Sequence, residues 1–291
     1  MKNALTSFLD LSSLLTLDQL LDFIQFASDE VDKKAIHNLC ENDTAFQNWQ
    51  SKNPNILDLL RSFPSIKIPA AALVASLSKL MPRTYSIASI DPKLSSFNGK
   101  KIVTTDLLLD VVEFNSGPFL SNESPPELRK GVASNFLIQL PIGGGFLSYH
   151  QPNDQFKLPN KPLPILMVCT GSGIAPFRGF WQKRIMNGYE KSTTWLFFGC
   201  RDETENMFEA ETADMVQRVV AYSRKGKDYP KKYVQDLLED ESSLIYRFVF
   251  NQKANVYICG KVNNQSTVCY KPWMAGYLVL TFAYVSNFNW T

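Results

Sequence analysis

A chain of 291 residues with 45% hydrophobic and 20% charged residues is too apolar and too nearly neutral to stay disordered, and its length predicts about two domains. A formal net charge of +2 leaves no basic excess to neutralise phosphates, which argues against a nucleic-acid binder. Five scattered cysteines without a CxxC, and only two histidines, argue against a disulfide framework, a zinc site or His-based chemistry, and fit reduced cytosolic thiols.

The opening MKNALTSFLDLSSLL is broken by Asp10, which argues against a signal peptide. Leu14, Leu17, Leu20, Leu21, Ile24 and Phe26 recur at three- and four-residue spacing and predict a helix capped by Thr16 or Asp18. Asn53-Pro54 opens a second helix with Ile56, Leu59 and Leu60, ended by Phe63-Pro64. Residues 71–80 form a third, stopped by Pro82. Beyond Pro82 the pattern turns to β. TYSIASI, 102–114 and 136–140 are predicted strands, 115–130 a polar loop, and Gly143, Gly144 and Gly145 a turn, so this part reads as antiparallel β. A second change comes at Pro162-Leu163-Pro164. ILMVC, 195–199, VAYS and NVYIC are apolar strands alternating with helices over APFRGFWQKRIMNG, 208–220 and 232–238, which predicts a doubly wound parallel sheet. The uncharged stretch 276–290 is shorter than the ~20 residues of a spanning helix.

The pattern VCTGSGIAPF at 168–177 joins a buried strand to a helix start. Gly171 and Gly173, flanked by Thr170 and Ser172, let the backbone approach a ligand, and the helix N-terminus offers N–H groups to a pyrophosphate. Pro176 departs from GxGxxG and points to another nucleotide-binding family. In Arg83-Thr84-Tyr85-Ser86 a guanidinium suits a phosphate, an aromatic ring can cover a flat cofactor, and a hydroxyl can bond a ring nitrogen. Gly131-Val132-Ala133-Ser134 fits a second phosphate cradle. Ser223-Arg224 with Lys231, Tyr233 and Gln235 would hold a dianionic monophosphate, the group that distinguishes NADP from NAD. Cys259 in Val256-Tyr257-Ile258-Cys259-Gly260 ends a strand where ligands of open α/β sheets bind. Each pattern alone is equally an ordinary feature: a steric glycine, a polar strand start, a turn, a solvated loop with Lys225 and Lys227, or a small buried thiol.

Together and in this order, the motifs resemble the ferredoxin–NADP reductase superfamily, and more narrowly the FAD/NADPH half of the diflavin enzymes, over residues 5–268. GSGIAPFRGFWQKR, AYSRKGKDYPKKYVQDLLED and NPNILDLLRSFPSIKIPAAALVASLSKLMPRTYSIAS are most similar to the nitric oxide synthase group. The resemblance implies an antiparallel FAD-binding β-barrel with a helical insertion, then a doubly wound NADP-binding domain. The implied division is 1–160 for FAD, with 1–80 a helical connecting part, 161–269 for NADP, and a divergent tail at 270–291.

The resemblance also assigns roles. Arg83 and Thr84 would lie at the FAD pyrophosphate, Tyr85 would stack on the isoalloxazine and Ser86 would sit near its N5. The backbone at Leu108, Leu109 and Asp110 would border the flavin, and Gly131, Val132, Ala133 and Ser134 would cradle FAD phosphates. Thr170, Gly171, Ser172 and Gly173 would hold the NADPH pyrophosphate, with Arg201 alongside. Ser223, Arg224, Lys231, Tyr233 and Gln235 would take the 2′-phosphate and adenine, and Cys259 would lie by the reactive nicotinamide carbon. Ser86 and Cys259 are thus the expected catalytic pair, and no metal is expected. The implied reaction is hydride transfer from NADPH to FAD, with electrons passing to FMN on a separate or missing flavodoxin-like domain, or to a haem protein. Cytoplasmic location follows from the thiols and the lack of a signal. Three departures stand out: the match starts after the family's first strands, Lys261 replaces an Asp after Cys259-Gly260, and the tail from Tyr270, with Trp290, does not match. They favour the alternative of a catalytically impaired fragment or nucleotide-binding interaction module; tethering through 276–290 is a further one.

Overall fold

A computed structural model describes residues 8–90, 95–97, 99–117 and 127–260. Lys261, Cys269, the tail with Trp290 and its apolar stretch, and part of the polar loop lie outside them. In chain order the helices begin with α1 (Leu17–Ile24), α2 (Glu30–Glu41), α3 (Asp43–Gln50), α4 (Ile56–Ser62) and α5 (Ala70–Ser76). Thr16 caps α1 in a reciprocal box with Gln19, each accepting the other's backbone N–H at 3.3 and 3.0 Å. Asp29, Asn42 and Asn55 cap α2, α3 and α4 through their side-chain oxygens. Two antiparallel pairs follow, β1 (Ser95–Phe97) with β2 (Lys100–Ile102) and β3 (Glu113–Ser116) with β4 (Glu127–Lys130), and then α6 (Val132–Gln139).

The remainder alternates strand and helix. It comprises β5 (Ile165–Thr170), a 3-10 turn (Gly171–Ile174), α7 (Ala175–Met186), β6 (Thr194–Cys200), α8 (Glu209–Thr212), β7 (Gln217–Tyr222), α9 (Val234–Asp240), α10 (Ser242–Tyr246) and β8 (Asn255–Cys259). The four strands are parallel in the order β7-β6-β5-β8. The expected α/β sheet is therefore present, preceded by antiparallel pairs.

Several local expectations are corrected. Residues 136–140 are not a strand but lie largely in α6. The polar side chains, not the apolar ones, decide this. Ser134 and Asn135 are buried and bond to one neighbour: the Ser134 hydroxyl accepts the Val112 N–H (3.1 Å), and Asn135 donates to the Val112 carbonyl (3.0 Å). TYSIASI makes only one bridge, Ile87 to Leu107, and 103–112 holds no strand. The pairing stops there because, although the Ala88 N–H reaches the Asp106 carbonyl (2.8 Å), the Asp106 N–H turns to a side chain, Ser89 Oγ (2.7 Å). The helix expected at 208–220 is a single turn, α8, followed by β7. Arg218, from β7, donates to the Met207 carbonyl (3.0 Å) and to Thr212 Oγ1 (2.9 Å), tying the turn beside the strand. Helices α2 and α3, which the apolar spacing did not reveal, fill the layer between α1 and α4.

The described residues fall into two compact units, 8–83 with 111–144, and 84–110 with 145–260. The first has a helical core of Leu15, Leu20, Phe23, Ile36, Trp49, Ile56, Leu59 and Phe63. In the second, both sheet faces are covered: Ile165, Met167, Phe177, Trp181 and Phe198 on one side, and Phe197, Val234, Leu238, Ile245 and Phe248 on the other. Burial on both faces explains why these strands are continuous apolar runs rather than alternating ones. Strand order reverses at β5, which lies between β6 and β8, and open α/β sheets bind ligands at the carboxyl ends of the strands at such a point.

Candidate functional site

In the second unit the predicted nucleotide residues collect along one edge of the sheet. β5 runs into Thr170, Gly171, Ser172 and Gly173 and then α7, whose first turn accepts Pro176 because an N–H there has no partner in the helix. Gly171 has φ +54, and a Cβ there would meet nothing within 4 Å, so the turn leaves open space beside its backbone. Gly173 is glycine for the opposite reason: a Cβ would lie 2.4 Å from the Cys259 carbonyl oxygen. Gly260 is similarly pressed on Thr170, whose Oγ1 would be 2.6 Å from a Cβ. The ends of β5 and β8 thus interlock around Cys259.

Cys259 is buried, and burial pushes its thiol up to about 12, so it is neutral at physiological pH. Ser172 donates its hydroxyl to Asp110 Oδ2 at 2.8 Å. Asp110 is exposed, while Leu108 and Leu109 are half-buried. Arg201 follows β6 and is paired with Glu205, which also accepts the Arg201 N–H at 3.1 Å. At the end of β7 the Ser223 N–H goes to the Cys200 carbonyl (3.0 Å) and the Arg224 N–H to the Arg201 carbonyl (2.6 Å), fixing this corner on β6. Arg224, Lys231 and Tyr233 are exposed, Gln235 is half-buried, and the Lys231 ammonium lies 5.0 Å from the Tyr233 ring centre. At the start of α9 the Tyr233 N–H goes to Asp236 Oδ2 (2.7 Å) and the Asp236 N–H to the Tyr233 carbonyl (3.1 Å).

Lys225, read from the sequence only as part of a solvated run, has a built position. It pairs with Glu203 (2.6 Å) and lies over the rings of Tyr222 (4.8 Å) and Tyr229 (4.4 Å). The aromatic residues on either side of the basic run were the available signal.

The predicted flavin residues divide between the units. In the first, Arg83 donates to the Met81 carbonyl (2.6 Å) and lies 3.5 Å from Asp10, leaving its guanidinium on the surface. Gly131 begins α6 and must lack a Cβ, which would meet Val112 Cβ at 2.6 Å. Val132 and Ala133 form the first turn of α6, with Ser134 turned inward to Val112. In the second, Thr84 is exposed and Tyr85 and Ser86 are half-buried, two residues before the buried Ala88. The donor sets suit the groups the motifs call for: open backbone and a helix start for a pyrophosphate, cations for a phosphate, an aromatic ring and hydroxyl for a flat ring system. Among the described residues no cluster of His, Cys, Asp and Glu could hold a metal, and no helix is long and apolar enough to cross a membrane.

Comparison with known proteins agrees with this geometry. A family model described as an FAD binding domain matches residues 1–118, and one described as an oxidoreductase NAD-binding domain matches residues 167–269. The two matches make the chain similar to the ferredoxin–NADP reductase-like half of the diflavin reductases, and its FAD- and NAD-binding domains support FAD and NADPH as cofactors. It is similar to the nitric oxide synthase of Drosophila melanogaster, with 30% identity over 274 residues, covering 90% of this chain and 19% of that protein. It is 32% identical over 277 residues to the inducible nitric oxide synthases of Mus musculus and Oryctolagus cuniculus, again over 90% of this chain, but 23% and 53% of those proteins. The chain therefore spans between 19% and 53% of the length of these relatives.

Proposed function

We propose that the chain is an NADPH-dependent flavin reductase module that delivers electrons to FMN on a flavodoxin-like domain or to a haem protein. The observation that carries this reading is the order of groups along the sheet edge. Ser223 and Arg224 follow β7, Arg201 follows β6, the GSG turn follows β5, and Cys259 ends β8. With strands spaced ~4.8 Å apart, the row spans roughly 14 Å and repeats the chemical order of NADPH: 2′-phosphate, pyrophosphate, nicotinamide.

When bound, NADPH supplies a hydride and FAD takes it up and releases electrons singly. The protein's part is alignment and exclusion of water. In this reading Gly171, Ser172 and Gly173 hold the pyrophosphate with Thr170 and Arg201 beside it. Ser223, Arg224, Lys231, Tyr233 and Gln235 hold the adenine end. Ser172 exchanges Asp110 for the phosphate. Cys259 stays a neutral thiol beside the nicotinamide carbon, and its raised pKa supports a packing and polar-contact role rather than that of a thiolate. Tyr85 covers the flavin ring, Ser86 offers its hydroxyl to N5, and Leu108, Leu109 and Asp110 border the ring. Arg83 and Thr84 hold the FAD pyrophosphate, Gly131, Val132, Ala133 and Ser134 cradle its phosphates, and residues 1–160 form the flavin domain, with a barrel, ahead of an NADP domain at 161–269. Free, buried Cys40, Cys169, Cys200 and Cys259 support a reducing, cytoplasmic setting.

A second reading, a nucleotide-binding module with impaired flavin chemistry, is supported by the first unit. There Arg83 is engaged by Asp10, and Phe136 and Ile138 on α6 remain 50% and 52% exposed. Ferricyanide reduction by the FAD-supplemented chain separates the two. The first reading expects NADPH to be preferred over NADH, and Arg224→Ala to raise KM for NADPH by roughly tenfold to a hundredfold, the equivalent of about 1.5–3 kcal/mol for a charge-assisted bond, with little change for NADH. No reduction, with 2′,5′-ADP still bound, supports the second; equal use of both nucleotides overturns the NADPH preference of the first.

A further inference from the structure

Arg178, the fourth residue of α7, is the hub of a hydrogen-bonded cluster outside the row of nucleotide groups. Its Nε donates to Glu211 Oε2 on α8 (2.8 Å). Its Nη1 donates to the Ala88 carbonyl (3.1 Å) and to Asp106 Oδ2 (2.6 Å), and its guanidinium lies 5.0 Å from the Phe208 ring centre. Glu211 Oε1 accepts from Trp181 Nε1 and Gln182 Nε2, both at 2.9 Å, and Gln182 Oε1 accepts the Ile90 N–H (3.1 Å). The Ala88 N–H goes to the Asp106 carbonyl (2.8 Å), closing the cluster. Burial works against charge on both partners, yet the mutual hydrogen bonds outweigh it: Glu211 lies below the ordinary glutamate value and Arg178 above the ordinary arginine value.

The segment thus held is 87–90, directly after Tyr85 and Ser86. Apart from the bridge between Ile87 and Leu107, no sheet ladder among the described residues fixes it. α7, on the other side of the cluster, starts from the GSG turn. The Arg178 cluster therefore ties the backbone that leads to the flavin-facing pair to the helix that begins at the nucleotide turn. Hydride transfer needs the reacting atoms ~3–3.5 Å apart and aligned, so small displacements between these two pieces affect rate strongly.

We propose that Arg178, oriented by Glu211, is a positioning residue that sets the register between the Tyr85-Ser86 segment and the nucleotide-binding start of α7, and with it the alignment of flavin and nicotinamide. The proposal rests on the flavin reductase reading. Its test is rapid anaerobic mixing of NADPH with FAD-loaded wild type, Arg178→Gln, Arg178→Lys and Glu211→Gln, with the long-wavelength flavin–nicotinamide charge-transfer band recorded beside flavin reduction. Arg178→Gln should slow flavin reduction on the order of tenfold to a hundredfold and weaken the band. Affinity for 2′,5′-ADP should stay within about twofold, a kcat effect without a KM effect. Arg178→Lys should recover part of both, and hydrogen exchange at the Ile90 amide should quicken in Arg178→Gln while β5 and β6 are unchanged. If Arg178→Gln does not fold, Arg178→Lys and Glu211→Gln decide. Variants that keep the wild-type rate and band, or lose rate only in proportion to bound flavin, overturn the proposal alone. A wild type that NADPH does not reduce overturns the underlying reading, and the proposal with it.

Discussion

Cys259 is held at the carboxyl end of β8 by contacts that reach it from the next turn over: Gly173 is pressed on its carbonyl, and Gly260 on Thr170. A thiol so enclosed is poor as a nucleophile. Native protein at neutral pH should therefore alkylate at Cys259 far more slowly than after unfolding in urea, as read by mass spectrometry of iodoacetamide adducts. The raised pKa also fixes a sign for stability. The unfolded thiol ionises near 9.0 and the folded one near 12, so the contribution is complete below 9.0 and is lost as pH rises from 9.0 towards 12. A Cys259→Ala variant should lose less stability than wild type over that alkaline window, and an equal loss would contradict the assignment. At this scale the sequence was legible where position in a strand dictates direction, as for Cys259. It was not legible where a polar side chain turns inward, as for Ser134, because no local pattern announces a partner at Val112, 22 positions away.

Asp58 shows how the elements are joined. It sits in α4 with its side chain 2% exposed, accepts the Asn55 N–H (2.7 Å) as the second half of a capping box, and pairs with Arg129 of β4. Removing Asp58 takes the nearest carboxylate from Arg129 and leaves it the longer contact with Glu127 at 3.5 Å. Asp58→Ala should cost about 3–5 kcal/mol by urea denaturation, with loss of the cap included. A cost within the range of a surface substitution would contradict this account of the helical layer. The spacing of apolar residues located α1 and α4 and the four strands of the parallel sheet, because each buries a face or a whole strand, and α5, whose Leu73 packs against the helical core. It missed α2, whose buried Ile36, Leu39 and Cys40 stand among charged residues, and α3, in which Trp49 is the buried residue, and read the apolar side chains of α6 as a strand although Phe136 and Ile138 are half-exposed. The caps Asp29 and Asn42 were the legible signal for the two missed helices.

For the whole molecule, the change from a helical layer through antiparallel β to alternating strand and helix was visible in the sequence, since it depends on the period and length of apolar runs. The grouping of 84–110 with the parallel sheet was not. It rests on long-range side-chain bonds, above all those of Arg178 to Ala88 and Asp106, which no local pattern encodes. The candidate site follows the same division: the residues proposed for the nucleotide were legible as motifs at strand ends, whereas Lys225 and the Arg178–Glu211 cluster emerge only from the fold. The most direct measurement is the visible absorption spectrum of the purified, FAD-loaded chain during anaerobic titration with NADPH. The account predicts a stoichiometric flavin spectrum that bleaches on addition of NADPH and much less readily with NADH. A folded protein that takes up no flavin, or whose bound flavin stays oxidised in excess NADPH, would contradict it.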